Sequence, residues 1–158
     1  MGTLRVLELL LGRYLSMRTR SEKEVRSYLA RKASKLPVEQ VQIDQLVEKY
    51  SNLGYIDDAK FAEVMSHSTV VNKAKGKRVL QIKLQQAGVD KSLIEQTLRE
   101  IDPQETIAAM EKRLQKYASK LQKLEPREAR MKAYGYLLSA GFSSEEIRKF
   151  LDERESRN

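Results

Sequence analysis

Apolar residues recur along this chain three and four positions apart and almost never in strict alternation. That period places them on one face of a helix, where a strand would alternate them. Leu4, Leu7, Leu10, Leu11, Tyr14 and Leu15 predict a first helix, with Thr3 placed to cap it. After a short basic connection, Met17 to Arg20, Ser21-Glu22-Lys23-Glu24 has the form of a capping box. It opens a second helix carrying Val25, Tyr28, Leu29 and Leu36. Pro37 is compatible with the start of a third, whose apolar positions are Val38, Val41, Ile43, Leu46, Val47, Tyr50 and Leu53. Further helices are expected over roughly 58–72, 76–87 and 91–101. Asp102-Pro103-Gln104-Glu105 reads as a cap, an N1 proline and an N3 acid, starting a long helix through Leu124. Pro126 restarts the chain into a helix ending near Ala140, and Ser143-Ser144-Glu145-Glu146 is a capping box for the last. Nine helices and no strand make the expected fold class all-α.

The joint between the third and fourth helices is the most closely specified stretch. Gly54 stands where a helix ends, since glycine takes a left-handed backbone without steric penalty. Asp57 is placed to cap the next helix, and Asp58 in its first turn complements the helix dipole. Ile56 and Phe61 have the spacing of a hydrophobic staple. Tyr55 either packs on the joint or offers its hydroxyl to a partner.

The helices group in threes. Leu84-Gln85-Gln86-Ala87-Gly88-Val89-Asp90 aligns with Leu137-Leu138-Ser139-Ala140-Gly141-Phe142-Ser143. In both, a helix ends on Ala-Gly, one apolar residue follows and a capping residue opens the next helix. Ile94 and Leu98 match Ile147 and Leu151, with Ile43 and Val47 in those places earlier in the chain. There a longer connection, Lys32 to Gln40, replaces the glycine turn. The expectation is three tandem three-helix units of the homeodomain-like, helical-bundle kind, 1–56, 57–101 and 102–158. Stacked on their neighbours they would form an elongated, curved body.

Composition fits long exposed helices: 33% charged and 41% hydrophobic residues, with only 7 glycines and 3 prolines among 158. The absence of cysteine excludes disulfides and thiolate zinc sites and agrees with a reducing cytoplasm. No apolar run is long enough to span a membrane. With 30 Lys+Arg against 22 Asp+Glu, the net charge of +8 favours nucleic acid or an acidic protein surface as partner. Lys73, Lys75, Lys77, Arg78 and Lys83 fall in one stretch without an acid. Lys112, Arg113, Lys116, Lys120, Lys123, Arg127, Arg130 and Lys132 form a second group, diluted by Glu125 and Glu128. On one continuous helix, Lys112, Lys116, Lys120 and Lys123 would form a stripe able to track a phosphate backbone. Each group is either a solvated face or a contact surface.

Gly54-Tyr55-Ile56-Asp57-Asp58-Ala59-Lys60-Phe61-Ala62 resembles the characteristic motif of the RecX family of recombination regulators. Gly76-Lys77-Arg78 with Leu80, Leu84, Ala87-Gly88-Val89 and Ile94 resembles that family's second repeat, and Tyr136-Leu137 to Gly141-Phe142 with Ile147 its third. The resemblance implies a bacterial modulator of the RecA strand-exchange ATPase. Such a protein lies along the groove of the RecA–single-stranded-DNA filament and blocks its growth, ATPase, strand-exchange and LexA-cleavage activities. It also implies direct DNA binding in some members, a role in the SOS response and DNA repair, and no cofactor. The sequence departs from the pattern at His67 and Thr69, where members often carry arginine, and at Val79 and Gln81, often basic places. It also begins almost at its first helix, without a family-type N-terminal extension.

Other chemistry finds little support. Acids at Glu95, Glu100 and Asp102 disfavour entry of the 91–101 helix into a DNA major groove. The lone His67 has neither cysteine nor second histidine for a metal or nucleophile site, capping explains the Asp57-Asp58 pair, and no glycine-rich phosphate loop occurs. The expectation is a binding protein without turnover, monomeric and off the membrane, against the alternative of a basic helical DNA-binding module that needs no RecA.

Overall fold

The structure, a computed structural model, describes residues 2–158. Among them every regular element is helical: α1 Gly2–Met17, α2 Glu22–Ala33, α3 Gln40–Asn52, α4 Asp58–His67, a π-helical turn Ser68–Asn72, α5 Lys77–Gln86, α6 Lys91–Arg99, α7 Pro103–Gln115, α8 Ala118–Leu121, α9 Pro126–Ser139 and α10 Ser144–Ser156. They pack into two compact units, residues up to Val64 with Leu84–Leu93, and Met65–Lys83 with Ile94–Asn158.

Most helix starts follow the expected chemistry, but α1 already includes Thr3, expected as its cap, and α2 stops at Ala33, short of Leu36. Ser21 and Ser143 each complete a capping box with the glutamate three residues on, and Asp102 accepts from the Gln104 amide at 2.8 Å. α3 begins later than Pro37 suggests: the Glu39 amide donates to Gln42 Oε1 at 2.9 Å, so this pair sets the start. Three helices end in the same turn. The amide of the residue after Gly54, Gly88 or Gly141 donates to the carbonyl five residues back, at 2.9, 3.1 and 3.3 Å. The glycines take φ of 81°, 72° and 96°, which side chains adopt only under strain.

In the first unit Leu7, Leu11, Val25, Leu29, Ile43, Leu46, Val47 and Ile56 form the core, with Leu4, Tyr14, Tyr28, Val38 and Tyr50 packed around it. Val41 and Leu53 are exposed instead, Val41 on the side of α3 opposite its core face and Leu53 at the cap beyond its end. The second unit buries Leu80, Met110, Leu114, Leu137, Phe142, Ile147 and Leu151.

The expected long helix through Leu124 is interrupted. Tyr117 leaves helical geometry at φ −113°, ψ 6°, and its ring stacks on that of Tyr136 in α9, 3.8 Å between centroids and 9° from parallel. α7 therefore stops at Gln115 and α8 is a separate single turn.

The two glycine turns at the α5–α6 and α9–α10 junctions each receive the start of another helix. Within the first unit, Ser21 Oγ donates to the Ala87 carbonyl at 2.7 Å. Within the second, the Gly76 amide donates to the Ala140 carbonyl at 2.9 Å and the Arg78 amide to that of Gly141 at 3.2 Å.

Candidate polyanion-binding surface

The family-motif residues build the joint. Asp57 accepts from the Ala59 and Lys60 amides at 3.0 and 3.1 Å, capping α4. Asp58 reaches further than a first-turn acid needs to, accepting from the Glu22 amide at the start of α2 at 2.8 Å. Burial pushes its carboxyl above the usual aspartate range, against the pull of that amide. Phe61 and Ala62 are buried, as is Ile56. Tyr55 remains 63% exposed, its ring tilted against Tyr50 at 5.9 Å.

The first basic group begins on a strap between α4 and α5, with Lys73 and Lys75, and continues onto α5 with Lys77, Arg78 and Lys83. On the strap the backbone departs twice from regular helix. Ser68–Asn72 is wound as a π-turn, and Ala74, fully buried, takes a left-handed φ of 49°. A non-glycine residue there costs about 1–2 kcal/mol. Two α7 side chains hold the strap. Lys112 Nζ donates to the Val71 and Asn72 carbonyls at 3.2 and 3.0 Å. Arg113 donates to the carbonyls of Ala74 and Lys73 at 3.0 and 2.8 Å. Gly76 then passes so close to the α9–α10 turn that a Cβ would fall on the Gly141 carbonyl. The role of Gly76 is close approach, and Ala74 takes the left-handed backbone.

Of the strap's cations, Lys73 and Arg78 are exposed and Lys75, Lys77 and Lys83 half-buried. None pairs with a carboxylate among the described residues. Burial first, and then the charges of Lys73 and Lys75, hold the Lys83 ammonium below the usual lysine range.

The second basic group does not form the expected stripe. Lys112 ends in α7 and is engaged with the π-turn carbonyls, Lys116 caps α7, Lys120 lies in α8, and Lys123 follows it. The break at Tyr117 removes the common helix face that the spacing requires. Arg130 is also engaged, bonding Asp152 and Glu155 at 2.7 and 2.8 Å. Lys116, Lys120, Lys123 and Arg127 remain exposed.

Pattern reading also missed a cationic and aromatic column in the first unit. Arg20 lies 3.9 Å over the Tyr14 ring, which stacks on Tyr28 at 4.0 Å, with Lys32 and Arg31 at 5.5 and 5.8 Å from the latter. Its only sequence signal is the paired spacing of tyrosines on adjacent helices. Among the described residues no cluster of His, Cys, Asp or Glu is placed to hold a metal ion, and no helix is long and apolar enough to cross a membrane.

Among the described residues the chain is an all-helical protein with a basic strap, and comparison with known proteins is specific. Residues 57–98 match the family model for the second three-helix domain of RecX and residues 104–151 that for the third, together more than half of the chain. Proteins named Regulatory protein RecX from Listeria welshimeri, Bacillus velezensis and Streptococcus mutans are 30, 32 and 33% identical over 84, 92 and 92% of this chain. The chain spans about half the length of these curated relatives, 48, 54 and 54%. The crystal structure of RecX from Lactobacillus salivarius superposes with a TM-score of 0.82 at 23% identity, covering 96% of each chain. A second crystal structure, of a regulatory protein RecX, gives 0.74 at 20% identity over 95% of this chain and 72% of that one. The chain belongs to the RecX family, a family of regulatory proteins.

Proposed function

We propose that this protein binds the RecA–single-stranded-DNA filament and inhibits its extension, ATPase, strand-exchange and coprotease activities, and so modulates recombination and DNA repair in the bacterial cytoplasm. Family membership supports a regulatory role, and the observation that carries the choice of partner is the Lys73–Lys83 strap. Among the described residues none of its five cations pairs with a carboxylate, which suits a polyanionic filament. The protein acts by binding, as a monomer built of three units, 1–56, 57–101 and 102–158, each offering its own patch, so that multipoint contact gains from avidity.

The test is RecA's single-strand-dependent ATPase against increasing amounts of the protein, with pulldowns on preformed filaments and on bare DNA. Inhibition well below one protein per RecA, with filament retained in preference to DNA, is the expected result. Equal retention on bare DNA without inhibition overturns it and leaves a DNA-binding module independent of RecA, a reading the same strap would serve.

A further inference from the structure

The column of rings and cations in the first unit is closed at one end and loose at the other. Arg20 lies 3.9 Å over Tyr14, in contact with its face, and its Nε donates to the Tyr14 carbonyl at 3.4 Å. The Tyr14 and Tyr28 rings are 4.0 Å apart and within 3° of parallel, so Tyr14 is covered on both faces and Tyr28 on one. The other face of Tyr28 is left to Lys32 and Arg31, which stand 5.5 and 5.8 Å from its centre. Both lie within cation–π range yet beyond the contact distance of about 3.5–4.0 Å between stacked atoms. Both are exposed, and neither pairs with a carboxylate among the described residues. The acids of α2 are engaged elsewhere, Glu22 with Arg26 at 2.8 Å and Glu24 with Arg18 at 2.6 Å. Tyr28 itself is held in place, its hydroxyl donating to the Leu10 carbonyl at 3.3 Å.

We propose that the open face of Tyr28 is a stacking seat for one base of a single-stranded nucleic acid, with Arg31 and Lys32 swinging aside onto the flanking phosphates. A base brings a flat π-face to the ring and an anionic group on each side for the two cations, and stacking on aromatic side chains holds single strands without regard to sequence. An acidic peptide would meet the cations but leave the ring unused. A duplex would first have to unstack and unpair a base. The stacked tyrosine behind the seat, pinned by Arg20, keeps it rigid, so little freedom is lost when a base arrives. The seat deepens the proposed function by giving the first unit its own hold on the filament's strand, and for that role it rests on that reading.

The experiment uses the full chain without RecA. The chain has no tryptophan, so Tyr28→Trp places a single indole in the seat, and oligo(dT) is expected to quench its fluorescence. A strand of the same length made of abasic sites carries the same phosphates and should bind wild type more weakly than oligo(dT). Tyr28→Leu, checked for folding by circular dichroism, should lose about tenfold in affinity for oligo(dT) and nothing for the abasic strand, while Tyr28→Phe keeps wild-type affinity. Arg31→Gln/Lys32→Gln should lower the slope of log affinity against log salt by about 0.7 per residue. Equal affinity of wild type for oligo(dT) and the abasic strand overturns the seat, as does an indole that oligo(dT) leaves unquenched. Polyglutamate or duplex DNA that quenches the indole as strongly at the same concentration also overturns it. If Tyr28→Leu fails to fold, the indole and the abasic strand decide the matter. The seat is read without RecA, so absent ATPase inhibition leaves it standing, and an absent seat leaves the proposed function to the strap.

Discussion

Between Lys73 and Lys83 none of the five cations pairs with a carboxylate among the described residues, whereas between Lys112 and Lys132 three of the eight are spent on the fold itself. Lys112 and Arg113 bond backbone carbonyls, Arg130 bonds Asp152 and Glu155, and the helix that would have aligned the remainder breaks at Tyr117. The second group is the more numerous, yet the first is the less engaged by the fold. Charge serves recognition where nothing within the protein has already claimed it, and the second group supplies part of the clamp that presents the first.

The strongest way to break this comparison is to unpin the strap. Gly76→Ala drives a Cβ into the Gly141 backbone, and overpacking that only a backbone shift can relieve should cost about 3 kcal/mol. At Gly54 the φ is also positive but the space is open, so Gly54→Ala should cost only the conformational strain, about 1–2 kcal/mol. Equal losses in urea denaturation would show that close approach does not hold the strap.

Next in size is Arg113→Ala, which strips the Ala74 and Lys73 carbonyls of a charged donor and should cost about 2 kcal/mol. Oligonucleotide affinity should fall with it as the strap loosens. Arg130→Ala removes the same charge, but its ion pairs are solvent-exposed, so its cost should stay below about 1 kcal/mol. Similar affinity losses for the two would mean that net charge, and not the clamp, governs binding.

Asp57→Ala should lower stability by about 1 kcal/mol through the lost cap of α4 while leaving the strap intact. An unmoved melting temperature with collapsed binding would instead make Asp57 a contact residue.

The smallest effect is one of pH. Because burial raises the Asp58 carboxyl above its unfolded value, the native state holds a proton that the unfolded chain releases. Stability should therefore decline as pH rises from the ordinary aspartate range through the raised folded value, and Asp58→Asn should flatten that decline. A wild-type profile flat across this interval would contradict the assignment.

The helices, their caps and the three glycine turns were legible in the chain because each depends on residues within about five positions of one another. Capping boxes, a glycine at a left-handed C′ position and apolar residues at helical spacing act locally, so their chemistry is written in order. The basic strap was legible for the same reason, being contiguous. Its partner group was misread because the fate of a long side chain depends on what comes to meet it. Lys112 finds carbonyls some forty residues away, and Tyr117 leaves its helix for a ring on α9. Likewise, Asp58 caps a helix that begins thirty-six positions earlier, and Gly76 is required by a turn that lies far along the chain. Local pattern determined which segments are helical and where most of them stop, the end of α7 excepted. Tertiary packing alone decided which charges remain free to bind, since an unpaired cation is defined by every neighbour it does not have.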